Sequence, residues 1–176
     1  NNCISCWNNC QFFLNKKYKF KYINHNMNHI FKRIIAVFFK SSQSEENFYY
    51  LALLKNADIV YGASIHGLWP NYANGSYPSF CKNVEFDFDK LSSIIKELRD
   101  YWGLPGDIGK DEISFWQHEY KKHGSCMFIE LTELEYFKKA LELYYYVMEN
   151  GIDIEKYRNG KNYMIPFDLD FKLIEK

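Results

Sequence analysis

Two apolar, strand-like runs precede three helical stretches in this chain, and that order narrows the possible folds more than any other feature. Phe48 to Leu54 reads as a buried strand. Ile59 to Ile65 reads as a second strand that enters His66-Gly67-Leu68-Trp69-Pro70, where Gly and Pro end it. Asp87 to Trp102 then puts Leu91, Ile94, Ile95 and Leu98 on one helical face, with Gly103 and Pro105 as stops. Asp111 to His123 is a second helix, ended by Gly124. Thr132 to Glu149 is a third, with Thr132 as cap, Glu135 completing a capping box, and Gly151 closing it. Strands and helices without strict alternation point to an α+β domain. Residues 152–176 are weakly patterned, and no internal repeat is present.

The chain divides into an extension, 1–45, and a folded domain, 46–176, across the linker-like run Ser41-Ser42-Gln43-Ser44-Glu45-Glu46. Within the extension, Met27, His29, Lys32 and Arg33 precede the apolar run Ile34 to Phe39. That order resembles a secretory signal over 27–39. An amphipathic helix is the competing reading, since Ile30, Ile34 and Phe38 share a stripe. Both stand. Cys3, Cys6 and Cys10 lack the further Cys or His that zinc-finger spacing requires. No stretch is long and apolar enough to span a bilayer, so no stable membrane association is expected.

A length of 176 residues suits one domain with a modest core. The 22 basic and 22 acidic residues cancel. A protein that grips long nucleic acid by its phosphates carries a basic excess, so the balance argues against an architectural or storage binder. It says little against an enzyme that meets RNA locally and releases it. Aromatic residues make up 19% of the chain, and a core rich in rings accounts for most of them. Asn71 to Cys81 is a loop that holds a glycosylation sequon, Asn74-Gly75-Ser76, meaningful only for a secreted chain.

Two segments carry chemistry. In the segment Phe115 to Cys126, on the second helix, Glu119 lies three residues before Lys122 and four before His123, so all three share a face. Trp116 is one turn back on the same stripe. A carboxylate beside His123 raises its pKa and Lys122 lowers it. An imidazole tuned near neutrality suits acid-base work. The bland reading is a solvated face with ordinary ion pairs. A zinc-protease helix is disfavoured, because His118 and His123 are five apart rather than four. The other segment is His66 at its strand end. Two imidazoles flanking one phosphorus would take the 2′-OH proton and protonate the departing 5′-oxygen, with Lys122 stabilising the charge that builds between.

The two segments, Ile65-His66-Gly67-Leu68-Trp69-Pro70 and Phe115-Trp116-Gln117-His118-Glu119-Tyr120-Lys121-Lys122-His123-Gly124-Ser125-Cys126, resemble the paired active-site motifs of the ribonuclease T2 family. Ser125 stands where the family has Thr. The resemblance covers roughly residues 47–160. It implies an α+β fold with a central, mainly antiparallel sheet packed with helices, shortened at its C-terminal end. It implies an endoribonuclease acting on single-stranded RNA through a 2′,3′-cyclic phosphate, with no metal and no cofactor. His66, Glu119, Lys122 and His123 would be catalytic, with His123 as base and His66 as acid. Trp69, His118 and Trp116 would contact substrate, and Cys81 and Cys126 would form a disulfide. A disulfide implies an oxidising compartment, secreted or lysosome- or vacuole-like. The expected form is a monomer. The family's Gln-Trp-Pro-like segment and a further Cys pair are absent. A non-catalytic relative that binds RNA or protein on the same scaffold is the alternative.

Overall fold

A computed structural model describes residues 46–104 and 111–175. The extension, with its signal-like segment and three cysteines, lies outside the described residues. Four strands form one sheet: β1 (Phe48–Lys55), β2 (Ala63–Asn71), β3 (Arg158–Asn159) and β4 (Asn162–Phe167). The spatial order is β2-β1-β4-β3, and every pairing is antiparallel. Three helices accompany it: α1 (Ile95–Tyr101), α2 (Glu112–Lys122) and α3 (Glu133–Glu149). The α+β architecture and antiparallel sheet are those expected. Among the described residues no helix is long and apolar enough to cross a membrane.

The third helix forms as its sequence dictates. Thr132 Oγ1 accepts from the Glu135 N–H at 3.4 Å, and Glu135 Oε2 accepts from the Thr132 N–H at 2.8 Å. At the far end Gly151 adopts φ +64, and the Ile152 N–H reaches back to the Val147 carbonyl at 3.1 Å. Only glycine adopts that backbone freely, which is why the helix stops there.

Strand β2 departs from the expected ending. Ile59 lies in a turn, and the strand starts at Ala63 and continues through His66-Gly67-Leu68-Trp69-Pro70. Pro70 is tolerated because β2 is an edge strand. Leu51 pairs with Leu68, Ala52 with Gly67 and Leu53 with Ile65, which leaves His66 as the extra residue of a β-bulge. The bulge explains an otherwise forbidden pattern. Ile65 and Leu68 are three apart yet both fully buried in the core, where strict alternation would put them on opposite faces. His66 and Trp69, also three apart, are brought into edge-to-face contact at 4.9 Å.

The core joins Tyr49, Leu51 and Leu53 of β1 and Tyr163, Ile165 and Phe167 of β4 to Leu98, Trp102, Trp116, Phe137 and Tyr144. Three side chains from the helical side donate to carbonyls of β2. Tyr136 and Tyr144 donate to the Leu68 and Ala63 carbonyls at 3.2 and 2.7 Å, and Trp102 Nε1 donates to the His66 carbonyl at 2.9 Å.

Two further expectations need correction. The Asp87–Trp102 helix is broken into a 3-10 turn, Phe88–Leu91, and α1. Ser92 and Ser93 are weaker helix formers at the break, and the turn is pinned separately where the Glu133 carboxylate accepts from the Asp87 N–H at 3.0 Å. Leu91, Ile94 and Leu98 still face the core. The weakly patterned C-terminal stretch holds β3 and β4. Pro166 masks β4 in the sequence, but β3 is only two residues long and flanks the strand at Asn162 and Tyr163, not at Pro166.

Candidate active site

Glu119 is the centre of the site. It is 2% exposed, and its two oxygens face two different imidazoles. His66 Nε2 lies 4.0 Å from Oε1, and His123 Nε2 lies 3.9 Å from Oε2. Trp69 Nε1 donates to Oε2 at 2.8 Å. The Trp69 ring also stacks on His123, with centroids 5.0 Å apart. The bulge in β2 and one face of α2 thus place two imidazoles, one carboxyl and one indole together. Gly67 makes the approach possible, since a Cβ there would collide with Glu119 Oε2 and Trp69 Nε1.

Burial sets the electrostatics. It pushes Glu119 up to about 7, opposed by the Trp69 hydrogen bond and the Lys122 charge. Burial pushes His123 down to about 3, helped by Lys122, His118 and His66. The sequence reading weighed only the neighbouring charges. At His123 the charges of Lys122, His118 and His66 act in the same direction as desolvation, and a carboxyl that is itself desolvated is a weak counter-charge. Buried His123 Nδ1 has no hydrogen-bond partner among the described residues. His66 is more exposed. Burial lowers its pKa, and Asn162, whose Oδ1 lies 3.0 Å from Nδ1, opposes the shift.

Lys122 is half-buried, and its charge acts on all three groups. His118 is exposed and meets the Phe80 ring edge-on at 6.0 Å. Trp116 is not at the surface expected of a substrate contact. It is wholly buried, donates to the Trp102 carbonyl at 2.9 Å, and stacks on Phe88. Its neighbour Phe115 instead lies 5.8 Å from the His66 ring. Gly124 does not end α2 through a left-handed φ. It opens a 3-10 turn, and a Cβ there would strike the Tyr120 ring.

Cys81 and Cys126 form a disulfide with Cα atoms 5.0 Å apart. Beside it the Phe80 N–H donates to the Lys122 carbonyl at 2.9 Å, so the 72–81 loop is tied to the end of α2. Asn74 is exposed, its Oδ1 accepting from the Ser76 N–H and hydroxyl at 2.9 and 2.6 Å. Among the described residues no group of three or more His, Cys, Asp or Glu side chains is gathered as a metal site. A separate hollow lined by Glu85, Lys90, Tyr120, Thr132, Glu133 and Leu134 contains neither imidazole. Sequence reasoning missed Asn162, which is 96 residues from His66 and belongs to no local motif.

The model of the ribonuclease T2 family matches residues 55–152, which include both imidazoles and the carboxyl between them. The chain belongs to the ribonuclease T2 family. It is 39% identical over 80 residues to Ribonuclease 3 of Arabidopsis thaliana, covering 45% of this chain and 36% of that protein. It is 40% identical over 92 residues to Extracellular ribonuclease LE of Solanum lycopersicum, covering 51% and 38%. The chain therefore spans little more than a third of these relatives. The RNase-related protein from Calystegia sepium shares the fold at 22% identity, with a TM-score of 0.56 over 76% of this chain and 91% of that one. Within this T2 fold, Ile65–Pro70 lies on the bulged edge strand and Phe115–Cys126 on α2 and the turn after it.

Proposed function

We propose that this protein is an endoribonuclease that cleaves single-stranded RNA by metal-independent transesterification. The observation that carries the reading is the unequal pair of imidazoles on either side of Glu119. His123, buried and held neutral, is in the form that accepts a proton from the 2′-OH. The 2′-oxygen then bonds to phosphorus and the P–O5′ bond breaks. His66, more exposed and with Nδ1 engaged, delivers the proton from Nε2 to the departing 5′-oxygen. The product is a 2′,3′-cyclic phosphate. In hydrolysis the roles reverse, with water adding to phosphorus and a 3′-phosphate left. A bound phosphodiester brings negative charge that raises both imidazoles toward the working pH.

Lys122 supplies positive charge for the non-bridging oxygens. Glu119, protonated over much of the range below 7, donates a hydrogen bond to one of them. Exposed His118 holds a flanking phosphate, and Trp69 holds the geometry of Glu119 and His123. The disulfide fits an oxidising compartment, secreted or lysosome- or vacuole-like, and Asn74 is then open to glycosylation. The active form is a monomer.

The test is a defined oligonucleotide incubated in EDTA between pH 4 and 8, with the product ends identified by mass. Cyclic-phosphate and 3′-phosphate ends are expected. His66→Ala and His123→Ala should each slow turnover by about 10²–10⁴-fold. Absence of such ends, near-normal rates in either variant, or full loss of activity in EDTA would each reject the mechanism.

A further inference from the structure

Resting on the ribonuclease reading above, we propose that Asn162 is a positioning residue that fixes the tautomer and orientation of His66, so that Nε2 is the atom presented to the leaving oxygen. Asn162 Oδ1 lies 3.0 Å from His66 Nδ1, so the Nδ1–H donates and the neutral ring keeps its lone pair on Nε2. The same Nε2 faces Glu119 Oε1 at 4.0 Å. The ring is therefore anchored on one nitrogen and aimed with the other. His123 has no counterpart, since its Nδ1 is unpartnered among the described residues. A general acid needs a definite N–H direction at the leaving oxygen, and a loose ring would give that up.

The fold builds this contact across the sheet. His66 sits on β2, Asn162 on β4, and β1 runs between them. Two local devices make them meet. The bulge at His66 re-aims its side chain. The two-residue turn Gly160-Lys161, with Gly160 at φ +60, joins β3 to β4, and Asn159 pairs with Asn162 across it. That register sets Asn162 opposite Leu54, the β1 residue that also pairs with Ser64. Other groups that bear on His66 come from α2 and its end: Glu119 facing Nε2, Lys122 and His118 whose charges lower its pKa, and His123 beyond Glu119. The Trp69 and Phe115 rings complete its surroundings. Among these, Asn162 alone holds Nδ1.

The contact can be read without substrate. Long-range nitrogen-proton correlation spectra at pH 8 should show His66 as the Nδ1–H tautomer in the natural protein. They should show a shift toward Nε2–H in Asn162→Leu. Kinetics supply the second readout. As the acid, His66 must be protonated, so kcat/KM falls on the alkaline side as His66 loses its proton. Asn162→Leu should move that limb to lower pH and cut kcat/KM at pH 7 by roughly tenfold or more. Asn162→Asp retains an acceptor of the same shape and adds charge, so it should move the limb to higher pH. Opposite movements are not what a merely structural residue produces. The inference is overturned if His66→Ala is inactive yet neither Asn162 variant changes the tautomer or the limb. Should His66→Ala stay active, the ribonuclease mechanism fails instead, and the spectra still decide whether Asn162 holds the ring.

Discussion

Trp69 Nε1 donates to Glu119 Oε2 across 2.8 Å, and this hydrogen bond joins the edge strand to the helix that carries His123. The indole is thus both a stacking partner for one imidazole and the donor to the carboxyl between the two. Trp69→Phe keeps a ring and removes the donor. A buried carboxyl left without that donor costs about 1–3 kcal/mol. Urea unfolding should show a loss of that size. Turnover of the folded variant should fall at least tenfold, because Glu119 loses its fixed position. An unchanged midpoint and rate would show that the bond contributes nothing.

Gly67 is the second lever. Its missing side chain is the space that Glu119 and Trp69 occupy. Gly67→Ala forces both apart or displaces the strand, an overpacking cost of about 1–3 kcal/mol. The expected signature is a lowered thermal midpoint together with a large drop in kcat at temperatures where the variant is folded. A variant as stable and active as the natural chain would contradict the tight packing.

Glu119 also makes stability depend on pH. Its folded pKa stands near 7 against an ordinary 4.5. Between those values the unfolded chain has released a proton that the folded chain keeps, so stability falls as pH rises from 4.5 to 7. The whole effect is roughly 3 kcal/mol. His123 has the opposite sign. Its folded pKa near 3 lies below its ordinary 6.5, so it contributes stability above 6.5 that is lost as pH falls toward 3. Glu119→Gln removes the first effect. The stability of that variant relative to the natural protein should therefore improve from about pH 4.5 to pH 7 and level off above, measured by urea unfolding. A difference that stays flat across the range would mean Glu119 titrates normally.

The disulfide should matter more for stability than for chemistry. It closes a loop of sequence separation 45, worth about 4 kcal/mol in the chain-entropy model. Reduction, or Cys81→Ser with Cys126→Ser, should lower the urea midpoint accordingly. The folded fraction should keep most of its activity at 25 °C, because the polar contacts of the Cys126 sulfur run to the Cys81 N–H, the Ser125 hydroxyl and the Lys122 carbonyl. Complete inactivation of a demonstrably folded reduced protein would assign the disulfide a direct role in the site.

Much of this was legible in the chain itself, because local physics wrote it. The capping box at Thr132 and Glu135 and the left-handed Gly151 bound α3 wherever the helix docks. The spacing of Glu119, Lys122 and His123 puts them on one helical face without reference to the rest of the protein. The tertiary structure decided what those residues experience. Desolvation raises Glu119 against the pull of Lys122 and drives His123 down together with the charges around it, and burial is a property of packing. Trp116 shares the motif with the site yet belongs to the core, because its indole N–H reaches the Trp102 carbonyl at the end of α1. The bulge at His66 and the reach of Asn162 across β1 arise from pairing between distant strands. No local pattern encodes a hydrogen bond between residues 96 apart, and only the closed sheet brings them together.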